Sequence, residues 1–256
     1  MDSKTTAGEQ FLSAGLGREE LVRLALDMLH QTMVHHVFWF KEAQHQFGFE
    51  KALAIMGEVY EKNLTLQMHR LGKTLDFKVK GGLPEAFLEL PPERLGELIR
   101  AFSLNWLATD GLWFQEVEAR QGMLDAKRCN DSCWVWFAQF EAWSIKRRIR
   151  LSENPGLDGL KQALRLRMYA AINRQTIVEG PDSISLYNND CRVQSARKDK
   201  GMEDYPCKSA GLQEYSNFAS AIDERITTRC LACPPDGHPP EWFCGWEFRL
   251  RADTGK

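Results

Sequence analysis

The segment RCLACPPDGHPPEWFCGWEFRL, residues 229–250, decides the fold of the C-terminal part of this chain. Its second half alternates with a period of two residues, which is typical of a β-strand that buries one face. One side carries Trp242, Cys244, Trp246, Phe248 and Leu250, and the other carries Phe243, Gly245, Glu247 and Arg249. We therefore predict a strand at 241–250 whose aromatic side belongs to a hydrophobic core.

The first half of the same segment has the cysteine spacing of a metal site. Cys230 and Cys233 are separated by two residues, so one turn can present two thiolates to a tetrahedral ion about 2.3 Å away. The prolines and the glycine that follow reverse the chain and return Cys244 to the same place. Cys207, at the start of a predicted helix, is the natural fourth ligand. The sequence thus predicts one structural zinc ion per chain, closed by Cys207, Cys230, Cys233 and Cys244.

Other interpretations of the cysteines stay open. Five of the seven cysteines lie in this C-terminal part, and reduced core thiols, a redox pair or an iron–sulfur cluster would give the same pattern. His238 is the main rival ligand, although its Asp, Gly and Pro neighbours favour an exposed turn. Cys191 could replace Cys207 as a ligand. Lys208 and Arg229, each next to a predicted ligand, could offset the charge left on the thiolates.

The cysteine pattern resembles the 4-vinyl reductase domain. The shared features are a cysteine that opens a helix, a two-residue gap beginning 23 positions later, and a cysteine on an aromatic strand. That domain is also the sensor region of phenol-responsive transcription activators, where it binds a structural zinc ion. The resemblance implies that the four cysteines named above are zinc ligands. The family often has Glu at the position of Cys230, and the loop before Cys244 is longer in this chain.

A second resemblance extends over most of the chain. The segments VHHVFWF at 34–40, NWLATDGLWFQEVE at 105–118, KRCNDSCW at 127–134 and NNDCRVQSARKDKG at 188–201 carry it. They resemble the L-2-amino-thiazoline-4-carboxylic acid hydrolase-like proteins and a related uncharacterised family of bacterial cytosolic proteins. The resemblance implies a shared scaffold of helices and an α+β unit. It does not imply hydrolase activity, because no hydrolase catalytic motif matches residue by residue.

The rest of the chain is predicted to be mostly helical, which makes the fold α+β. Apolar residues recur at three- and four-residue steps in five segments: 19–46, 49–71, 93–120, 125–151 and 157–172. After residue 173 the pattern predicts one helix and four strands, with the helix at 209–222 and the strands at 175–187, 190–197, 225–232 and 241–250. We expect a flexible arm at 1–17, a helical region of about five helices at 18–173, and a zinc-stabilised antiparallel sheet with one or two helices at 174–256.

Composition argues against several classes of partner. Lys plus Arg at 33 nearly cancels Asp plus Glu at 35, so the chain has no basic excess for nucleic acid or an anionic membrane. The longest apolar stretches fall far short of the roughly 18 residues that span a bilayer. The N-terminal residues MDSKTTAGEQ contain no apolar export signal. Seven cysteines without such a signal indicate a reducing compartment, and we expect a cytoplasmic protein.

Polar residues on the first helix mark one candidate site. His35, Glu42 and His45 share the apolar stripe of that helix, and Glu42 and His45 form a Glu-x-x-His pair. Such a pair binds iron only together with a second pair and further carboxylates on facing helices, and we find no second pair in the sequence. A helix flank of satisfied or partly exposed polar groups is the alternative to a ligand or catalytic pocket.

Two carboxylates on later helices could likewise be either paired structural groups or part of a ligand site. Asp110 lies between Trp106 and Trp113, where an unpaired carboxylate would cost several kcal/mol and is therefore expected to be paired or hydrogen-bonded. A carboxylate among tryptophans can also bind a cationic or hydrogen-bonding ligand. Glu141, in the fourth long helix, is expected to pair with an arginine of the same helix.

Cys191 is the candidate nucleophile. It stands at the entrance of a predicted strand, and Arg192 and Arg197 could lower the pKa of its thiol, as a reactive thiolate requires. A buried inert thiol is the alternative. Cys129 and Cys133 are spaced for one helix face, which is more often a packing feature than a disulfide, and their role stays open.

These features predict an aromatic-lined pocket between the helical and α+β parts. Its ligand is expected to be a small organic molecule, aromatic or heterocyclic, with contacts at His35, Trp39, Trp106 and Trp113. The alternative function is a hydrolase that opens a C–N or C–S bond of a small heterocycle, with catalytic groups at Cys191, His36, Asp110 and Glu42. Besides the ligand, a second copy in a homodimer is the other partner considered.

Overall fold

The structure, a computed structural model, describes residues 15–199, 201 and 204–251. Most of the flexible arm predicted at 1–17 lies outside these residues. Within them the chain forms nine helices and six strands, so the predicted α+β class is confirmed. The chain divides into two compact units, residues 1–89 and 90–256. The helical region predicted at 18–173 thus contributes to both units.

The first unit consists of a helical hairpin and a short two-stranded ribbon. Its elements are α1 (Arg18–Phe47), α2 (Phe49–Leu75), β1 (Val79–Lys80), β2 (Leu83–Pro84) and α3 (Glu85–Leu88). Gly48 joins the two long helices with a φ of 85°, a conformation that glycine adopts readily. α1 has no buried residue, whereas α2 buries Ala52, Leu53, Gly57 and Gly72.

The second unit combines six helices with a four-stranded sheet. Its elements are α4 (Pro92–Gln121), α5 (Met123–Arg148), α6 (Gly156–Leu164), α7 (Met168–Ile172), β3 (Arg174–Glu179), β4 (Ser183–Asp190), α8 (Arg192–Lys198), α9 (Lys208–Ile222), β5 (Ile226–Ala232) and β6 (Cys244–Leu250). The strand order is β3-β4-β6-β5, and every neighbouring pair is antiparallel. Pro92 begins α4, where its fixed φ suits the first helical turn.

The core of the second unit lies where α9 packs against α5 and the sheet. Trp246 of β6 stacks on Tyr215 of α9 with ring centroids 4.7 Å apart. Gly211 permits this close packing, because a Cβ at that position would lie 2.6 Å from the Trp246 ring. Trp246 and Phe248 of the last strand are fully buried, as predicted. Gly245 and Glu247 on its other side are buried too, and Leu250 is exposed, so burial does not alternate along this strand.

Three local predictions are wrong. The segment predicted as one strand at 175–187 forms the antiparallel pair β3 and β4, because the chain turns at Gly180. The helix predicted at 157–172 is split into α6 and α7, because the backbone of Arg167 is extended and its side chain is buried in the core. The strand predicted at 190–197 is α8 instead. Its alanine, glutamine, arginine and lysine are good helix formers, and β4, which ends at Asp190, already supplies the partner strand. Seven helices therefore precede residue 173 in the described part of the chain, in place of about five.

None of the described helices is both long enough and apolar enough to cross a lipid bilayer.

Candidate ligand cavity and thiol cluster

The second unit contains a cavity of about 980 Å³. Its walls come from α4, α5, α8, α9 and β6, so it lies where the helices meet the sheet within residues 90–256. Sites for small molecules typically have volumes of about 300–1,000 Å³. The cavity is therefore large enough for an organic molecule of more than one ring.

One wall of the cavity is aromatic. Trp134 and Tyr169 stack with ring centroids 5.9 Å apart, and Tyr205 packs edge-on against Phe114 at 5.4 Å. Trp106 lies behind this wall, with its ring 6.0 Å from Trp134 and 5.0 Å from Tyr169. These rings give the cavity flat apolar surfaces of the kind that stack against planar molecules.

Most of the other predicted site residues lie elsewhere. Four of them are on α1 in the first unit: His35, His36, Trp39 and Glu42. The predicted Glu42–His45 pair is an exposed contact of 3.8 Å between Glu42 Oε1 and His45 Nδ1. Trp113 is on α4 but is 71% exposed. The periodicity of a helix shows which residues share a face, but it does not show what that face packs against.

Asp110 and Cys191 both line the cavity. Asp110 is half-buried on α4 and has no hydrogen-bond or ion-pair partner among the described residues, and burial raises the pKa of its carboxyl. Cys191 precedes α8, where burial raises the pKa of its thiol to about 12. This direction is opposite to the lowering expected from the neighbouring arginines, because Cys191 is withdrawn from solvent. The thiol is therefore protonated at neutral pH.

Glu214 lines the cavity and belongs to a buried ion triad that sequence reasoning missed. Arg167 Nε lies 2.8 Å from Glu141 Oε2, and Arg167 Nη2 lies 2.8 Å from Glu214 Oε1. The side chains of Arg167, Glu141 and Glu214 are 2%, 7% and 8% exposed. Glu141 thus pairs with Arg167, 26 residues away, and not with an arginine of its own helix.

Glu214 is expected to make the stability of the second unit depend on pH. Burial raises its pKa to about 7, Arg167 opposes this, and the charges of Glu141 and Asp110 add to the increase. Because the folded chain binds this proton more tightly than the unfolded chain, the free energy of unfolding falls as the pH rises from about 4.5 to about 7. We expect Glu214→Gln to raise that free energy by about 2–3 kcal/mol at pH 8 and to change it little near pH 4.

Urea denaturation at the two pH values, followed by circular dichroism, measures this effect. Glu116→Gln is the matched control, because Glu116 is exposed on α4 and pairs only with Arg120 at 3.0 Å among the described residues. An equal gain at both pH values, or a loss of stability at pH 8, would contradict the assignment of this proton to Glu214.

Three of the four predicted zinc ligands meet beside the cavity. Cys207 Sγ lies 3.4 Å from Cys233 Sγ, and the Cys233 thiol also hydrogen-bonds with Cys244. Cys230, on β5, has a pKa raised to about 11 by burial, with smaller effects from neighbours that include Cys207 and Cys244. Within residues 15–199, 201 and 204–251, no group of three or more His, Cys, Asp or Glu side chains has the geometry of a metal site.

Two buried amides donate hydrogen bonds to this thiol cluster. Asn188 Nδ2 lies 3.0 Å from Cys244 Sγ, and Gln194 Nε2 lies 3.5 Å from Cys207 Sγ. Hydrogen bonds from Cys233 and Gln194 lower the pKa of Cys207. Amide donors aimed at sulfur stabilise a thiolate, which is the form that binds metal ions.

The other side chains considered for the metal site have partners of their own. Lys208 pairs with Asp236 at 2.8 Å, Arg229 with Glu247 at 3.0 Å, and His238 with Asp204 at 3.2 Å. His238 is thus engaged by a carboxylate, and its side chain is only 14% exposed, which differs from the exposed turn expected from its neighbours. Lys208 still acts on Cys230, whose pKa its charge lowers against the effect of burial.

The profile of one protein family matches residues 88–250, which is more than half of the chain. The chain belongs to DUF6125, a family of unknown function. No curated protein matches the chain. Among solved structures, one match is the crystal structure of the phenol-responsive sensory domain of the transcription activator PoxR with phenol, at 15% identity and a TM-score of 0.37. It covers 74% of this chain and 89% of that chain, and a similarity this weak carries no argument.

The DUF6125 match contains the cavity and the thiol cluster in full. It leaves out α1 and with it the predicted residues His35, His36, Trp39 and Glu42. The resemblances to the 4-vinyl reductase domain and to the hydrolase-like proteins remain predictions.

Proposed function

We propose that the DUF6125 region binds a small aromatic or heterocyclic molecule in its cavity. The observation that carries this proposal is the cavity itself, about 980 Å³ with stacked rings on one wall and isolated polar groups between them. Trp246 is fully buried on the cavity wall, and its indole Nε1 has no hydrogen-bond partner among the described residues. A buried donor without an acceptor costs about 1–3 kcal/mol, and a bound molecule with an acceptor atom would offset this cost.

The described residues favour binding over hydrolysis. A hydrolase that attacks a C–N or C–S bond through cysteine needs a thiolate and a base beside it. Cys191 is a protonated thiol at neutral pH, and His36 and Glu42 belong to the first unit. Asp110 is the other predicted catalytic group at the cavity, and by itself it supports recognition better than bond cleavage.

We also propose that one zinc ion, held by Cys207, Cys230, Cys233 and Cys244, stabilises the second unit. In a tetrahedral site with Zn–S bonds of about 2.3 Å, neighbouring sulfur atoms are about 3.8 Å apart. The Cys207–Cys233 separation of 3.4 Å is close to that value, so these two thiols are compatible with one tetrahedral ion. Four thiolates would leave no open position for water, and such an ion contributes folding energy rather than chemistry.

Filling the cavity tests the binding proposal. Gly111 on α4 lines the cavity, and a Cβ at this position would meet open space. We expect Gly111→Leu to weaken the binding of 2-naphthalenemethanol, a neutral aromatic probe, at least tenfold, because the leucine would occupy the volume that the rings of the probe need.

Gly96→Leu is the matched control for this variant. Gly96 lies on the same helix, outside the cavity lining, and its Cβ would also meet open space. Both variants gain helix propensity by roughly the same amount, so a difference in binding reports on the cavity. Titration calorimetry of the three proteins gives the affinities. Equal affinities for Gly111→Leu and Gly96→Leu would contradict the proposal.

A further inference from the structure

We infer that the molecule bound in this cavity carries a protonated amine, which lies against the Asp110 carboxylate and the side-chain oxygen of Asn130. This inference rests on the proposed binding function and specifies the chemical class of its ligand. The amine belongs to an aromatic or heterocyclic molecule, because the same wall of the cavity holds the stacked rings of Trp134 and Tyr169.

The first support is an excess of negative charge at the cavity. Arg167 is the buried cation, and it is shared between Glu141 and Glu214. Asp110 adds a third carboxylate, and its charge acts on Glu214 and on Tyr169. The cavity lining itself holds the carboxylates of Asp110, Glu118 and Glu214 and the guanidinium groups of Arg192 and Arg197. With Glu141 and Arg167 included, the carboxylates outnumber the cations by one, and partial burial makes such an imbalance costly. A cationic ligand would supply the missing charge without any rearrangement of the ion triad.

The second support is a pair of acceptors without donors. Asp110 has no hydrogen-bond partner among the described residues, and Asn130 Oδ1 is buried and likewise unpartnered there. Asn130 Nδ2 lies 3.4 Å from Tyr205 Oη, which fixes the direction of the amide. Asn130 Oδ1 is the buried acceptor of the two, whereas Asp110 is half-buried. Buried acceptors without donors are rare in folded proteins because each costs free energy. A protonated amine has donors for both of them.

Tyr205 places the two acceptors on one wall. Its hydroxyl group contacts Asn130, and its ring packs at 5.4 Å against Phe114, which follows Asp110 by one turn of α4. Asp110 and Asn130 therefore lie on the same side of the cavity as the Tyr205 ring. Lys127 Nζ already lies 4.9 Å from the centroid of the Tyr205 ring. The attraction of ring faces for a bound ammonium group, about 0.5–2 kcal/mol, would therefore come from the other aromatic side chains of this wall.

Three cationic side chains lie near this wall, and two of them, Arg192 and Arg197, line the cavity itself. Lys127 Nζ donates to Pro206 O at 2.8 Å and lies 3.7 Å from Asp131 Oδ1. The side chains of Arg192 and Arg197 come from α8, where Arg192 is exposed and the Arg197 guanidinium lies 6.0 Å from the Tyr205 ring. None of the three forms an ion pair with Asp110. As far as the described residues go, the carboxylate is thus available to a ligand.

Trp246 points to the second functional group of the ligand. Its buried Nε1–H can donate to a ring nitrogen, an ether oxygen or a carbonyl oxygen. A ligand with an amine for Asp110 and an acceptor for Trp246 satisfies the unpaired groups of the cavity wall described above. A heterocyclic amine has both groups within the size that the cavity admits.

Three probes of the same size test the inference on the full chain: 2-naphthylmethylamine, 2-naphthalenemethanol and 2-naphthoate. At pH 7.5 we expect the amine to bind at least tenfold more tightly than the alcohol, and the carboxylate to bind most weakly. Asp110→Asn should weaken the amine about tenfold and change the affinity for the alcohol less than twofold. Glu116→Gln, on the exposed side of the same helix, should change neither.

The outcomes separate this inference from the proposed function. If the carboxylate binds most tightly, or if Asp110→Asn leaves the affinity for the amine unchanged, the inference is overturned. The binding function then still stands, provided that Gly111→Leu weakens the alcohol. If none of the three probes binds the wild-type chain, the binding function and the inference both fail. The probe series on the wild-type chain is decisive even if Asp110→Asn fails to fold.

Discussion

Arg167→Met is expected to lower the free energy of unfolding of the second unit by about 3–5 kcal/mol at pH 8. The side chain of Arg167 is 2% exposed, hydrogen-bonds to Glu141 at 2.8 Å and forms an ion pair with Glu214 at 2.8 Å. Its guanidinium lies 4.5 Å from the centroid of the Phe218 ring. Methionine fills a similar volume but leaves two buried carboxylates without a cation. Breaking a buried ion pair from one side is costly because the remaining charge has lost its solvent and its partner.

Urea denaturation of the wild type and the variant at pH 8 and at pH 5 measures this loss. The deficit should shrink at pH 5, where Glu214 is protonated in the folded chain. Arg120→Met is the matched control, because Arg120 forms an exposed ion pair with Glu116 on α4, and its loss should cost less than about 1 kcal/mol. A change below 1 kcal/mol for Arg167→Met at pH 8 would show that the triad does not hold the core together.

Cys233→Ser is expected to abolish zinc binding and to destabilise the second unit by several kcal/mol. Cys233 is 1% exposed, and its sulfur contacts both Cys207 and Cys244, so it is the central member of the thiol cluster. A serine hydroxyl is a poor zinc ligand at neutral pH. Since binding at a structural zinc is coupled to folding, losing the metal also loses folding free energy.

Elemental mass spectrometry of the purified chain, together with chemical denaturation, measures both effects. We expect one zinc ion per chain in the wild type and close to none in Cys233→Ser. Cys129→Ser serves as the control, because Cys129 is exposed on α5, and it should retain the metal and the stability of the wild type. A wild-type chain that takes up no zinc, or a Cys233→Ser variant that keeps one ion, would refute the metal site.

The long elements could be predicted because their signals are local. Apolar residues at three- and four-residue steps located α1, α2, α4 and α5 to within a few residues, and strict alternation located β6. The interruption at Arg167 could not be predicted in this way. It depends on Glu141 and Glu214, which precede and follow Arg167 at distances that no helical period encodes. The helix α8 was missed because an adjacent strand ends only two residues before it.

The candidate site could be predicted only in part, because local sequence patterns identify single residues but not the residues that meet in the folded chain. Asp110 and Cys191 stood out as reactive groups in apolar or basic surroundings, and both line the cavity. The predicted role of Cys191 required a lowered pKa, but burial, which is a property of the folded chain, determines the direction of the shift. The residues next to Glu214 in the sequence do not indicate a site. Its role depends on the ion pair with Arg167 and on its position in the cavity wall, which only the folded chain shows.

Gly211 restricts which parts of the cavity wall can change among members of this family. A side chain at this position would press on the Trp246 ring at 2.6 Å and force α9 away from the sheet, so this wall of the cavity cannot vary without loss of the core. Gly111 on α4 also lines the cavity, and a Cβ there would meet open space, so a larger side chain causes no clash at that position. Among relatives that bind different ligands, we therefore expect the cavity residues of α4 to differ in sequence. The cavity residues of α9 and β6 should stay the same.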